Sequence, residues 1–259
     1  MMNMQYAHRN SLYIPNGLLS SSSPHVIPKV IHYCWFGPNP FSRTVRKCIT
    51  TWNKHLSDYE FRLWNEESCA TYAAINGLPN PMEHPFVKGA YAAKKYAFVA
   101  DYVRFWALYH CGGVYLDTDM YVIKKIDDLL DVDFFAGWET DKQDIVSCGV
   151  LGTQKYGECM KDILAKYDMI AFDENKLSNC IVTRLITPIV LQHNNVMIYT
   201  YDYFYPLPYA ERFTWRKMKY NTPNTYAVHL WDISWGKWQA KLRDRILYIV
   251  KKILRNTKK

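Results

Sequence analysis

Asp117-Thr118-Asp119 sets two carboxylates on either side of one residue, directly after the run Gly112-Gly113-Val114-Tyr115-Leu116. In an extended chain, residues i and i+2 share a face, so both acids can converge on one point. Two hard oxygen ligands at the end of an apolar strand suit Mg2+ or Mn2+ carried by a phosphorylated substrate. Acidic triplets are common in solvated loops. Here two glycines offer room for a ligand against the backbone, and the strand fixes where the acids sit. A phosphatase-type D-x-D-x-T pattern competes for the same residues but fails at its fifth position, which is Tyr121.

Asp101 and Arg104 are three apart and share a face of the helix they occupy. On a surface helix such a pair is a solvated ion pair. These two lie among Ala100, Val103 and Phe105, in the most apolar helical stretch of the chain, where charges must pair with each other or with a polar ligand. Trp35 follows the first strand, where its ring can pack in the core or stack on a nucleobase, and Trp64-Asn65 closes the second strand in a similar way. Late in the chain His229, Trp231, Ser234 and Trp235 crowd together. His229 is either a structural histidine or a nitrogen ligand to the cation that Asp119 holds.

These residues need elements to place them. Val26–Gly37 is β-rich, with Gly37 and two nearby prolines closing it; Ser42–His55 has a helical pattern; Tyr59–Trp64 alternates as a strand; Asn65–Ala74 resumes helix. Ala90–His110 reads as one long helix stopped by Cys111-Gly112-Gly113. Val114–Leu116 is then the strand that delivers the acidic pair. Further strands are expected at Phe134–Gly137, Ile145–Leu151 and Met197–Tyr201, with helices near 156–168 and 177–193. Strands alternating with helices imply an α/β fold, and ligands of open α/β sheets collect at the carboxyl ends of strands, where Asp117 falls.

The 259 residues can bury one substantial core, and 49% hydrophobic content means that most of them must. The net charge of +8 is concentrated: residues 241–259 carry eight Lys and Arg against Asp244, a net +7 that leaves the body near neutral. A neutral body argues against general nucleic-acid binding. Seven cysteines with no C-x-x-C pair support neither a zinc knuckle nor a redox motif, and suggest reduced thiols in a cytoplasmic protein. No apolar run approaches the roughly 18 residues of a membrane span.

Ile27-Pro28-Lys29-Val30-Ile31-His32 with Trp35-Phe36-Gly37, then Ala100-Asp101-Tyr102-Val103-Arg104-Phe105, then Gly112 to Asp119, together resemble glycosyltransferase family 32, whose sugar-binding region contains the DXD motif. The resemblance spans about residues 26–240. It implies a GT-A type, Rossmann-like domain that binds a nucleotide-sugar donor with Mn2+ or Mg2+ and retains the anomeric configuration. Carried over, it implies that Trp35 stacks on the base, and that Asp101 and Arg104 hold sugar hydroxyls and phosphate. Asp117 would meet ribose, sugar and metal-bound water, Asp119 the metal, and His229 would be a further metal ligand. Ser234-Trp235 resembles an element that closes over the diphosphate. Trp64, Asn65, Gly113 and Tyr115 join the expected donor-binding set. The chain departs from the family pattern at Ser147-Cys148-Gly149 and at Thr187-Pro188, both on the acceptor side.

In the tail, Leu242, Ile246, Ile249, Val250, Ile253 and Leu254 recur at helical spacing among basic residues. Such a helix packs on the body or lies on an anionic membrane. The expected organisation is a weakly ordered 1–25, a catalytic domain over 26–240, and a basic amphipathic tail helix over 241–259. The expected activity is transfer of a hexose from a UDP-sugar to a lipid-linked or cell-surface polysaccharide, as in bacterial capsule synthesis, by a peripheral enzyme on the inner face of the membrane. The competing readings are a toxin-like protein glycosyltransferase and a non-catalytic nucleotide-sugar-binding membrane scaffold.

Overall fold

The computed structural model of the chain describes residues 26–214, 216–232, 245, 247 and 248. Strand β1 (Val30–Cys34) leads to helix α1 (Arg43–His55), strand β2 (Glu60–Trp64) and helix α2 (Glu66–Asn76). Helices α3 (Pro85–Ala92) and α4 (Tyr96–Cys111) precede β3 (Gly113–Leu116) and β4 (Met120–Val122). Then come β5 (Phe134–Trp138), β6 (Val146–Thr153), α5 (Glu158–Asp168), α6 (Val182–Val190), β7 (Met197–Tyr199) and β8 (Ala227–His229). The main sheet runs β2-β1-β3-β6-β5-β7, and β4 pairs with β8 in a separate ribbon.

Every pairing in the main sheet is parallel except the two made by β6. Strands β1, β2, β3, β5 and β7 therefore end on one edge. The α/β class read from the sequence is the class observed, as a mixed α/β fold around a central sheet. Strand β3 is buried on both faces: Tyr115 enters an apolar core with α2–α6, while Val114 and Leu116 enter a second core with α1, β4 and β8. Burial on both faces is why this strand lacks a polar alternation.

The helix expected over Ala90–His110 is two helices. The chain breaks between Ala92 and Tyr96, with Lys94 at φ 56°, and so turns α4 back beneath the sheet. Where one helix was expected over 177–193, a 3-10 turn at Leu177–Cys180 precedes α6. The ribbon β4–β8 was not foreseen.

The glycines before the acidic pair serve packing rather than ligand approach. Gly112 (φ 65°) ends α4 with its N–H on the Leu108 carbonyl, and a Cβ on Gly113 (φ 109°) would lie 2.6 Å from the Val30 carbonyl oxygen. Ser234, Trp235, the lead-in 1–25 and most of the tail lie outside the described residues, and with them the closing element and the amphipathic tail helix expected there. Within the tail, the Tyr248 hydroxyl donates to Glu211 at 2.9 Å. Among the described residues no helix is long and apolar enough to cross a membrane. All seven cysteines are free, and six of them are buried.

Candidate active site

The site begins with α4. Asp101 and Arg104, one turn apart, both face the sheet, and both are buried. The guanidinium donates from Nη2 to Asp101 Oδ1 at 2.7 Å and from Nη1 to the Cys148 carbonyl at 2.9 Å, and its carbon lies 4.6 Å over the Tyr115 ring. Arg104 Nη1 is also 3.3 Å from Asp117 Oδ1. One cation thus bridges a helix acid and the first acid of the triplet. Tyr115 supports the same atom, its hydroxyl donating to Asp117 Oδ1 at 3.1 Å.

Asp117 leaves the carboxyl end of β3 with its N–H bound to the Gly149 carbonyl at 2.8 Å. The chain then turns tightly, Met120 N–H returning to the Asp117 carbonyl at 2.9 Å, and β4 starts. In the ribbon Met120 is opposite His229, which sets the imidazole against Asp119: Nε2–H donates to Asp119 Oδ1 at 3.1 Å. The Asp232 N–H donates to Asp119 Oδ2 at 2.7 Å. Helix α1 anchors the ribbon, since Trp52 Nε1 donates to the Met120 carbonyl at 2.7 Å and Val122 N–H to Thr51 Oγ1 at 3.0 Å.

One ligand atom from each of Asp117, Asp119 and His229 lies within 4.8 Å of the others. Asp119 and His229 lie close enough, at 3.1 Å, that one cation could take the place of the proton between them. His229 Nδ1 is buried without a hydrogen-bond partner among the described residues, so no second bond commits the ring to its present proton. Two carboxylates and an imidazole suit Mn2+ or Mg2+ with positions left for phosphate oxygens. The donor set therefore fits the expected cation.

Charge and burial oppose each other here. Burial would raise the Asp119 pKa and lower that of His229, but their mutual attraction outweighs it: Asp119 is held below the usual carboxylate range and His229 above the usual imidazole range. A bound cation would take the place of the imidazole proton. Asp101 goes the other way: burial pushes its pKa up to about 7 against the pull of Arg104. Burial works against the Arg104 charge as well, yet Asp117, Tyr115 and Asp101 raise its pKa. One guanidinium shared between two acids explains the difference, because it keeps its own charge while only partly compensating each carboxylate.

Of the expected donor-binding residues, Trp35 stands partly exposed at the carboxyl end of β1, its ring edge-on to Phe41 at 5.0 Å. Three others are occupied by structure. Trp64 is 2% exposed; its Nε1 donates to His32 Nδ1 at 3.0 Å while His32 Nε2 donates to the Gly112 carbonyl at 2.8 Å, so the ring has no surface for a ligand. The Asn65 side chain caps α2 by accepting from Ser68 N–H. Gly113 is packed against β1. Tyr115 is buried as well and serves the acids from behind.

Two charged residues not singled out in the sequence approach the cluster. Lys217 is half-buried, donates to the Arg212 carbonyl, and has a depressed pKa from burial despite the pull of Asp232 and Asp119. Glu139, just after β5, is near enough for its charge to be felt at His229. Nothing in the run Arg216-Lys217-Met218-Lys219 marks Lys217. Glu139 carries one signal, its place at the end of a strand.

Residues 42–136 match the family described as "Glycosyltransferase sugar-binding region containing DXD motif", a stretch that includes Asp101, Arg104, Asp117 and Asp119. Mannosyl phosphorylinositol ceramide synthase CSH1 of Saccharomyces cerevisiae is 31% identical over 128 residues, 47% of this chain and 31% of that protein. The chain matches about a third of the length of such yeast relatives. A protein of Acanthamoeba polyphaga mimivirus named as uncharacterized glycosyltransferase L373 is 22% identical over 82% of this chain and 84% of its own length. Among solved structures, a PaToxG glycosyltransferase superposes with a TM-score of 0.49 at 18% identity, over 64% of this chain and 69% of that one. None of these bears on the bacterial capsule setting. The DXD match over residues 42–136 and the yeast mannosyltransferase relatives agree with the resemblance to glycosyltransferase family 32 read from residues 101–119.

Proposed function

We propose that the protein transfers a hexose from a nucleoside diphosphate sugar to a saccharide hydroxyl with the help of a divalent cation. The observation that carries this reading is the convergence of Asp117, Asp119 and His229 beside an Arg104 already bound to Asp117. Asp119 and His229, with Asp117, would hold the cation, which when bound would neutralise charge growing on the leaving diphosphate. Lys217 adds a second positive charge near Asp119 for the same anion.

The free oxygens of Asp101 and Asp117 would accept hydrogen bonds from donor hydroxyls and stabilise positive charge at the anomeric carbon. Arg104 holds both acids in register, so they need not reorganise as that charge develops. Trp35, partly exposed, would take the base face; stacking alone accepts any base, so the uridine preference rests on the resemblance. Among the described residues of the donor-side cluster no carboxylate stands free of a cation to act as a nucleophile, which supports front-face transfer with retention; a covalent glycosyl-enzyme or an inverted product by NMR would refute it.

A lipid-borne acceptor is supported by the yeast relatives, whose names place mannose on inositol phosphoceramide, and by the +7 charge of residues 241–259, suited to an anionic membrane face. That location would be cytoplasmic. The test is hydrolysis of UDP-glucose, UDP-galactose, UDP-N-acetylhexosamines and GDP-mannose with Mn2+. One donor should be consumed in a Mn2+-dependent way, and Asp119→Ala should abolish the reaction. A protein that binds a donor but never consumes it would be a scaffold instead.

A further inference from the structure

Glu139 is an acid beside the cluster to which the donor chemistry gives no role. It follows Trp138 at the end of β5, which runs parallel to β3 in direction, so it stands on the same edge of the sheet as Asp117. Its N–H donates to the Ile145 carbonyl at 2.9 Å, so the backbone is still in the β5–β6 ladder and the strand period sets its face. Counting in twos, Glu139 shares a face with Gly137, and Gly137 is paired with Ser147, which shares a face with Gly149.

That face is the reactive one. A Cβ on Gly149 would lie 3.1 Å from Asp117 Oδ2 and 3.2 Å from the Tyr205 hydroxyl, and one on Gly137 would meet the buried Phe204 ring at 2.7 Å and the Tyr205 ring at 3.2 Å. The missing side chains let Tyr205 and Asp117 lie against the sheet. Tyr205 is fixed there, its hydroxyl accepting from Val150 N–H at 2.9 Å, and its ring stands edge-on to His229 at 5.8 Å. Glu139 extends the row past Tyr205, and its charge is felt at both His229 and Cys148.

The carboxylate of Glu139 has no hydrogen bond or ion pair among the described residues, although the residue is only partly exposed. Its oxygens are not buried, so the carboxylate is open to a ligand from the solvent side. A bare carboxylate also repels a diphosphate, so its ligand is rich in hydroxyls and carries no anion at that point. Asp101 and Asp117 already serve the donor side through Arg104. The geometry points to Glu139 as the acceptor-binding residue, its carboxylate accepting hydrogen bonds from hydroxyls of the incoming saccharide and so selecting it. Ser147, on the same face, is one of the positions where the chain departs from the family pattern, in keeping with an acceptor surface particular to this protein.

This inference rests on the glycosyltransferase reading, and the experiment separates the two. The full-length protein, Glu139→Gln and Glu139→Ala are given a donor that the unaltered protein hydrolyses. Mn2+ is included, along with glycerol or the methyl glycosides of mannose, glucose or galactose as acceptor probes. The readout is the partition of the glycosyl group between probe and water, with the acceptor KM. A charged hydrogen bond lost on the acceptor side should lower the partition ratio by about tenfold or more, mainly through a higher acceptor KM. A ratio that stays constant while both reactions fall would put Glu139 on the donor side, and an unchanged ratio with unchanged rates would leave it no role; either overturns the inference. Hydrolysis without transfer to any probe, in the unaltered protein, also overturns it. No donor consumption at all would instead sink the glycosyltransferase reading on which it stands.

Discussion

Arg104 satisfies two acids and a carbonyl at once, holding Asp101 at 2.7 Å, Asp117 at 3.3 Å and the Cys148 carbonyl at 2.9 Å. Lysine would keep the charge but lose the planar fork. Arg104→Lys is expected to fold and to lose about tenfold or more in kcat/KM for the donor, whereas Arg104→Met should cost about 3–5 kcal/mol of stability because buried carboxylates lose their partner. Urea denaturation paired with donor kinetics checks both. Asp101 offers a cleaner titration. Burial first, with Arg104 opposing, raises its pKa from 3.8 to about 7. Between those values the folded chain keeps a proton that the unfolded chain has released, so stability is fullest below 3.8 and falls as pH rises to about 7. Asp101→Asn should remove that part of the slope, measured as the urea midpoint across the same window. An unchanged slope in the variant would assign the titration to another group.

The ribbon β4–β8 determines whether the acids meet their histidine. Asp119 and His229 are 110 residues apart in sequence, and three-residue strands join them through the Met120–His229 register. Neither strand announces itself, because Met120–Val122 and Ala227–His229 are too short to show a period; the pairing is fixed by α1, whose Trp52 and Thr51 bind it. By contrast, the block 101–119 was readable because a helix period, a glycine stop and a buried strand follow one another without a gap. The glycines were legible as a stop, but their reason was not: the close neighbour is β1, not a ligand. Gly113 makes a sharp test. A methyl group there meets the Val30 carbonyl oxygen at 2.6 Å at a φ of 109° that L residues rarely adopt. Gly113→Ala should therefore cost about 2–4 kcal/mol by urea denaturation. A cost under about 0.5 kcal/mol would mean that β1 and β3 separate easily.

Five strands end on one edge of a sheet with an apolar core on each face, so the acids at the end of β3 are held by the whole molecule rather than by a loop. The fold class was legible because alternating strands and helices leave few other layer arrangements. Lys217 and Glu139 were not, since their meaning lies in where distant segments return. The same arrangement couples the site to global stability. Asp117, Asp119 and His229 come from segments that only the folded chain brings together, so a cation bound by them binds the native state and not the unfolded one. At a hundred times its Kd such an ion adds about 2.7 kcal/mol, and in a chain of this size each kcal/mol moves Tm by about 2–4 °C. Mn2+ is therefore expected to raise Tm by about 5–10 °C, and Ca2+ to raise it less, because an imidazole in the donor set favours the transition metal. Asp119→Asn and His229→Gln should each remove most of the rise, measured against each variant's own cation-free Tm, which loss of the Asp119–His229 pair also lowers. A full Mn2+ shift in Asp119→Asn would place the ion elsewhere and take the donor diphosphate with it.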